Sequence, residues 1–203
     1  MLSKSRFIEM FGYIDSNKLN FKMAKLSEVA KIGSSHRVFT DQFVDKGVPF
    51  YRGTEISQLS LGQRPTDIFY ISEELFNSLA TSETKPKIGD LLLPSICNKG
   101  QIWLVDTDEP FYYKDGRVLR VSPDRNIFNS EYLRYYMSLK TKYEYLKLGT
   151  GSTFAEFKIF QLKNLDVIVP PKNLQNCFAS FINKINKSKL VLQKALENLV
   201  GKV

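Results

Sequence analysis

The chain has 203 residues, of which 43% are hydrophobic and 13% aromatic, whereas disordered chains are poor in both classes. Its length fits one sizeable domain with an appendage and argues against two full domains, because single domains commonly hold roughly 100–200 residues. The formal net charge is +8, from 29 Lys and Arg against 21 Asp and Glu, which favours a polyanionic partner such as nucleic acid. A basic protein without such a partner would show the same excess.

The cysteines and the apolar residues bear on the cellular compartment. Cys97 and Cys177 lie far apart in the sequence in apolar surroundings, which indicates neither a disulfide framework nor a Cys-x-x-Cys metal site. We expect both thiols to be buried. No stretch approaches the ~18 apolar residues of a membrane-spanning helix, and the N-terminus lacks the apolar segment of a signal peptide. The sequence therefore predicts a cytoplasmic protein that makes no membrane contact.

The N-terminal segment is predicted to be a short helix followed by a linker. Phe7, Met10 and Phe11 lie at helical spacing, and residues 12–20 are rich in helix-breaking residues. We expect residues 1–20 to be detachable from the core.

Residues 21–171 are predicted to form a mixed, β-rich domain with short helices, so that the fold class is α+β. Short apolar runs at 48–52, 68–71, 91–93 and 102–105 are separated by Gly, Pro, Ser and Asp, as strands are. Asp115-Gly116 predicts a tight hairpin over 112–121, although an ordinary surface loop would also fit. Helices are expected at 73–79, capped by Ser72, and from Ser130 to residue 146.

Residues 172–203 are predicted to form a long coiled-coil spacer helix, which Asn173 can cap. Apolar residues follow with the 4-3 spacing of a coiled-coil seam, at Phe178, Ile182, Ile185, Lys189, Leu192, Leu196 and Leu199. Lys189 interrupts the seam, and we expect its side chain to extend to solvent. A helix over 174–199 would be about 39 Å long at about 1.5 Å per residue, too long for its own domain to cover. We therefore expect it to pair with a partner helix.

Three patterns could carry chemistry, and none is well formed. The glycine-rich stretch at 149–153 lacks the Gly-Lys-Ser/Thr of a nucleotide-binding loop, so a turn that contacts DNA is favoured. Asp67, Glu83 and Lys85 loosely resemble the Mg²⁺ site of nucleases, but Glu83 falls in a proline-containing loop. His36 has no nucleophile motif beside it and is expected in a polar loop. The sequence therefore predicts no catalytic centre, metal or cofactor.

Basic and polar residues in loops beside the predicted strands form the candidate DNA-binding set. Arginine can pair bidentately with guanine and glutamine with adenine, and Lys and Arg neutralise phosphates. The candidates are Arg37, Arg52, Lys99, Gln101, Lys114, Arg117, Ser152, Thr153 and Lys158. Each of them alone is better explained as a surface charge or a phosphate contact, and only the set favours DNA.

Four stretches in a specific order and spacing resemble the target-recognition domain of type I restriction-modification specificity subunits. They are Lys-Leu-Ser-Glu-Val-Ala at 25–30, Val-Pro-Phe-Tyr-Arg at 48–52 with Glu55-Ile56, Lys-Ile-Gly-Asp-Leu-Leu-Leu at 87–93, and Leu-Asp-Val-Ile-Val-Pro-Pro at 165–171 leading through Gln175 into a helix. Residues 3–12 are also similar to the end of the family's conserved helix. The resemblance covers nearly the whole chain.

The resemblance implies a non-catalytic DNA-reading protein whose partners are double-stranded DNA, methyltransferase subunits and a restriction subunit. Full subunits of this family hold two recognition domains joined by two antiparallel helices, and they read a bipartite target. The chain is then either a half-length subunit that self-associates through its C-terminal helix or half of a longer chain. Two other functions stay open, namely a small Mg²⁺-dependent nuclease built on Asp67, Glu83 and Lys85, and a helical adaptor that never touches DNA.

Overall fold

The computed structural model describes residues 2–148 and 155–200, without the side chains at 190, 193, 194 and 196–200. Its helices are α1 (Leu2–Phe11), α2 (Leu26–Val29), α3 (Gly53–Ser60), α4 (Glu73–Leu79), α5 (Ser130–Tyr145), α6 (Ile159–Lys163) and α7 (Lys172–Val200). Its strands are β1 (Lys22–Lys25), β2 (Ala30–Gly33), β3 (Phe43–Val44), β4 (Val48–Tyr51), β5 (Phe69–Ile71), β6 (Leu91–Pro94), β7 (Trp103–Leu104), β8 (Tyr112–Tyr113), β9 (Val118–Pro123) and β10 (Asp166–Val169). The predicted α+β class is confirmed.

The strands of the described residues form three small sheets. One pairs β1 with β10, the second has the antiparallel order β2-β9-β6-β7, and the third has the order β3-β5-β4-β8, in which β4 and β8 are parallel. Strand β6 is buried on both faces, since Leu91 and Leu93 belong to the main core while Leu92 belongs to a second core beneath α3. This two-sided burial explains an uninterrupted run of leucines in a short strand.

The turn at Asp115-Gly116 forms as predicted, but the hairpin does not. Gly116 takes a positive φ of 61°, and the Val118 amide donates to the Lys114 carbonyl at 3.0 Å. The preceding strand, β8, pairs with β4 in the third sheet, whereas the following strand, β9, pairs with β2 and β6 in the second. The hairpin prediction was wrong because both strands find better partners elsewhere. The turn therefore joins two sheets.

Two predicted helices have the expected kind of side-chain cap. The Ser72 hydroxyl accepts from the Leu75 amide at 3.1 Å at the start of α4. The cap of α5 is Asn129 rather than Ser130, and its side chain accepts from the Glu131 and Tyr132 amides. Such caps satisfy amides that no helical carbonyl can reach, so they fix where each helix begins.

The N-terminal helix is part of the main core. Phe7 and Phe11 are each only 1% exposed, and both rings pack against Phe178 of α7 with centroids 5.5 Å apart. Phe11 also lies 4.9 Å from the ring of Tyr132 on α5. The expectation that this segment is detachable was wrong, because its two phenylalanines fill the space between α5 and α7. We refer to Phe7, Phe11, Tyr132 and Phe178 as the aromatic cluster.

The base of α7 is fixed in the same core. Phe178 and Ile182 are buried, so the first two positions of the predicted seam contact this chain's own helices rather than a partner. Buried Gln175 accepts from the Asn129 amide at 2.9 Å and donates to the carbonyls of Ile127 and Pro170. Beyond this base, α7 leaves the domain. Across its 29 residues it is about 43 Å long at about 1.5 Å per residue.

A buried ion pair fastens the loop before β6 to β9. Arg120 and Asp90 are 5% and 1% exposed and lie 3.4 Å apart. Arg120 also donates to the carbonyls of Glu83 and Lys85, and the second Asp90 oxygen accepts from the Ser122 hydroxyl at 2.7 Å. A buried charge must be satisfied in this way, because leaving it unpaired would cost several kcal/mol. The pair explains the aspartate that precedes the leucine run.

The two cysteines have different environments. Cys97 is fully buried, its thiol lies 3.3 Å from the Gln101 carbonyl, and burial raises its pKa to about 11. Cys177 is exposed on α7, so the expectation of two buried thiols was wrong for this residue. In the described part of the chain, no helix combines the length and apolar character needed to cross a bilayer.

Removing one ring of the aromatic cluster is expected to destabilise the whole domain. Phe11→Ala should lower the free energy of unfolding by about 3–5 kcal/mol, as is typical of a buried phenylalanine, measured by urea denaturation. Tyr13→Ala is the matched control, because Tyr13 is 61% exposed two residues further on, and it should cost under about 0.5 kcal/mol. A loss below about 1 kcal/mol for Phe11→Ala would show that α1 is not part of the cooperative core.

Thiol reactivity should separate the two cysteines. At pH 8 only about a thousandth of Cys97 would be thiolate, given its pKa of about 11, and the thiolate is the reactive form. The folded protein should therefore react rapidly with one equivalent of a chromogenic disulfide reagent, and the denatured protein with two. Cys177→Ser should abolish the rapid reaction. Rapid reaction of two thiols in the folded protein would contradict the placement of Cys97.

Candidate nucleic-acid interface

A surface cleft of about 460 Å³ lies where the N-terminus of α3, the end of β6 and the β8–β9 turn meet. Three residues of the predicted DNA-binding set line it, namely Arg52, Lys114 and Arg117. They come from two separate parts of the chain, and the turn between the second and third sheets brings them together. We call this the basic cleft.

Glycines and serines shape the basic cleft. At Gly53 a Cβ atom would lie 3.2 Å from the Cβ of Pro94, so glycine lets α3 begin close to the end of β6. The Ser34 hydroxyl donates to the Val118 carbonyl at 2.7 Å and accepts from the Gly116 amide at 2.9 Å. These bonds hold the β8–β9 turn, which carries Lys114 and Arg117, on the loop that follows β2.

Arg52 is held firmly within the protein. Its guanidinium donates to both carboxylate oxygens of Glu55, at 3.1 and 2.7 Å, and lies 4.5 Å from the ring centre of Phe69. Burial opposes ionisation of Glu55, but the hydrogen bonds from Arg52 outweigh it and hold the pKa of Glu55 below its usual value. Glu55 thus offsets much of the Arg52 charge. The arginine positions α3 at least as much as it could attract phosphate.

The other cations at the basic cleft are more accessible. The Lys114 side chain is exposed and has no hydrogen-bond or ion-pair partner among the described residues. Arg117 is 56% exposed and pairs with Glu156, whose second oxygen lies 2.9 Å from the Lys158 ammonium. Lys158 does not line the cleft itself, but Glu156 links it to Arg117 at the edge of the cleft. Lysines and arginines exposed around one concave surface form a favourable environment for a polyanion.

Lys99 and Gln101 lie in a neighbouring depression. Residues of α3 and α5 line it together with them, and Ser57 of α3 borders both this depression and the basic cleft. The turn that carries Lys99 and Gln101 packs closely against α5. Gly100 allows this approach, since an added Cβ would lie 2.2 Å from the Ser138 carbonyl oxygen. The Gln101 side-chain oxygen accepts from the Lys99 amide at 3.0 Å. The two residues are therefore close to the basic cleft but separate from it.

Arg37 occupies the loop that supports the β8–β9 turn. The Ser35 hydroxyl donates to the Tyr113 carbonyl at 2.5 Å, and the His36 amide donates to the Tyr112 hydroxyl at 2.9 Å. Arg37 is exposed above the ring of Phe39. His36 is exposed in this polar loop, as expected. The last two members of the predicted set, Ser152 and Thr153, lie outside the described residues.

Sequence reasoning missed the polar residues that complete the basic cleft. Thr54, Ser57 and Ser95 line it, but isolated serines and threonines give no pattern in a sequence. Glu156 was missed because it is an acid in a set chosen for positive charge. The only available signal was its position two residues before Lys158, in a segment rich in basic residues.

The residues of the nuclease alternative do not form a site. Glu83 and Lys85 direct their main-chain carbonyls to Arg120, whereas the Asp67 carbonyl accepts from Arg52 at the basic cleft. Among residues 2–148 and 155–200, no three His, Cys, Asp or Glu side chains gather closely enough to hold a metal ion. The resemblance to a nuclease motif therefore stops at the sequence.

Known proteins resemble this chain in sequence and in fold. A protein of Haemophilus influenzae assigned as a type I restriction enzyme specificity subunit is 26% identical over 167 residues, which cover 80% of this chain and 40% of that protein. The HsdS subunit from Thermoanaerobacter tengcongensis superposes with a TM-score of 0.64 at 17% identity, covering 96% of this chain and 44% of its own. The type I restriction-modification S subunit of M. genitalium gives a TM-score of 0.55 at 12% identity, covering 96% and 46%.

The chain thus spans less than half the length of these relatives. A structure of a type I restriction-modification system also contains a chain with the same fold, at a TM-score of 0.67 and 18% identity. Residues 18–201 match the family described as the type I restriction modification DNA specificity domain. Since this match takes in nearly the whole chain, the protein belongs to the family of type I restriction modification DNA specificity domains.

Proposed function

We propose that this chain binds one half of a bipartite DNA target and that the basic cleft forms the centre of the contact. The supporting observation is that Arg52 lines the same cleft as Lys114 and Arg117, which lie some sixty residues further along a DNA specificity domain. Lys and Arg that contact phosphates release bound counterions and give affinity for any sequence. Sequence would then be read by side chains that reach base edges beside these anchors.

We further propose that the chain works with methyltransferase and restriction subunits in the cytoplasm. The protein of Haemophilus influenzae is assigned as the specificity subunit of a restriction enzyme, and such a subunit needs others to act on the DNA that it selects. In this arrangement methyl transfer and cleavage take place on those subunits, and the chain needs no cofactor. The chain itself selects the DNA site on which those subunits act.

The outer part of α7 is proposed to pair with a second long helix, from another copy of this chain or from the other half of a longer subunit. Phe178 and Ile182 are used by the domain, so the available seam begins at half-buried Ile185. Beyond it Lys189 and Leu192 are exposed, and Leu192 is 64% accessible. The 4-3 spacing of the sequence extends the seam to Leu196 and Leu199. Paired helices would hold two recognition domains about one DNA turn apart, roughly 34–36 Å.

The cations of the basic cleft should contribute to DNA binding. Lys114→Ala with Arg117→Ala should weaken binding to duplex DNA and reduce the slope of log affinity against log salt by about 0.9 for each lost phosphate contact. Fluorescence anisotropy at several salt concentrations would measure both. Lys18→Ala with Lys22→Ala is the matched control, because it removes the same charge from exposed residues outside the cleft. Equal losses in the two double variants would assign the effect to net charge alone.

Acidic substitutions on the outer seam should prevent self-association without unfolding the domain. Leu192→Asp with Leu196→Asp should give a monomer by light scattering and leave the domain folded by circular dichroism, because exposed Leu192 makes no core contact. Val191→Asp with Asn198→Asp introduces the same groups away from the seam and should leave the dimer intact. A monomeric wild-type chain would favour pairing with the remainder of a longer subunit instead.

A further inference from the structure

Glu156 is an acidic residue placed among the cations of the proposed DNA interface. One carboxylate oxygen pairs with the Arg117 guanidinium, and the other lies 2.9 Å from the Lys158 ammonium. The carboxylate side chain is 16% exposed, whereas its two partners are 56% and 57% exposed. A single carboxylate therefore pairs with two long, accessible basic side chains at once.

The backbone around Glu156 is fixed, so the acid stays in place while its partners can move. The Phe157 amide donates to the Ser95 carbonyl at 2.8 Å, and the Tyr145 hydroxyl donates to the Ala155 carbonyl at 2.7 Å. The Phe157 ring is buried in the main core. Arg117 and Lys158 reach the carboxylate with long side chains, and rotation about their own bonds would take them to another acceptor.

The two ion pairs make a modest contribution to stability. Water and salt screen the exposed cations, and the loss of hydration at the largely buried carboxylate offsets part of the attraction. The carboxylate does, however, offer Arg117 and Lys158 the same kind of oxygen acceptors that a DNA phosphate offers. A phosphate at the cleft therefore competes with Glu156 for the charge and the N–H donors of these two cations.

We propose that Glu156 is an internal competitor for phosphate, which weakens binding to DNA of arbitrary sequence and so raises the selectivity of the domain. This inference rests on the proposed function, since it requires the basic cleft to contact DNA. Sequence-independent affinity comes from cations on the phosphate backbone. Because Glu156 pairs with two of those cations, it lowers the sequence-independent affinity. A larger share of the total affinity then comes from contacts with bases.

Glu156→Gln tests the proposal, because glutamine keeps the shape and one acceptor oxygen but removes the charge. Glu144→Gln is the matched control. Glu144 also pairs with two cations, Lys140 and Lys147, at 3.0 and 3.2 Å, but these three residues line a different cleft, beside α6. Both variants raise the net charge by the same amount. Binding to a duplex of arbitrary sequence, measured by anisotropy across salt, then separates local competition from total charge.

We expect Glu156→Gln to bind that duplex about five- to tenfold tighter near 0.1 M salt, with a steeper salt dependence by about one to two in log–log slope. Glu144→Gln should stay within about twofold of the wild type. Adding Lys158→Gln to Glu156→Gln should remove most of the gain, whereas Lys158→Gln in the wild-type background should weaken binding by a smaller factor, because Glu156 still holds that cation.

Equal affinities of the two glutamine variants would overturn the proposal, as would weaker binding by Glu156→Gln. A melting temperature measured for each variant shows that the compared proteins are folded. Failure of the wild type itself to bind duplex DNA in a salt-dependent manner would instead overturn the proposed function, and with it this inference. The two failures are thus distinguishable in one titration series.

Discussion

The packing of aromatic rings between α1, α5 and α7 is the interaction on which the rest of the structure depends. Phe178 meets Phe7 and Phe11 at 5.5 Å and lies in the same core as Tyr132. Burial of aromatic rings supplies a large share of the stabilising free energy in a domain of this size. Because one ring of the long helix sits at its centre, the cluster also fixes the base of that helix. A single contact region thus serves both stability and the attachment of α7.

The location of the basic cleft follows from the junction of two sheets. The β8–β9 turn leaves the third sheet and enters the second, and it carries Lys114 and Arg117 to the N-terminus of α3. The Arg120–Asp90 pair fastens the opposite end of the neighbouring strands. Charged side chains at such a junction are held by backbone that is well supported on both sides. This arrangement favours contacts of fixed geometry over a loose electrostatic surface.

Much of the local structure could be predicted from the sequence, because it depends on neighbours in the chain. The Ser72 cap, the turn at Gly116 and the long C-terminal helix were all correct. Pairings between distant segments were beyond such reasoning. The hairpin failed because β8 and β9 have partners far away in the sequence, and the seam was partly misjudged because Phe178 packs against residues near the N-terminus. A 4-3 spacing shows which face is apolar, but not whether the chain itself covers it.

The same contrast between local features and contacts of distant segments applies to the candidate site. Arg52, Lys114 and Arg117 were selected by residue type, and the structure brings them together, whereas the partnership of Arg52 with Glu55 gave no sequence signal beyond proximity. Ion pairs such as that of Arg117 with Glu156 join residues almost forty positions apart, and only the fold reveals them. Charged residues can thus be counted from a sequence, but the ion pairs that neutralise them can be identified only from the fold.

Strand β6 has a mechanical consequence for the whole protein. Leu91 and Leu93 face the helices, and Leu92 faces the core that supports α3 and the basic cleft. The two cores are therefore joined by a single strand of four residues. Because this strand contributes side chains to both cores, a displacement of one core is passed to the other through paired backbone rather than through a hinge. The domain should consequently turn as a single rigid body when the helix is reoriented.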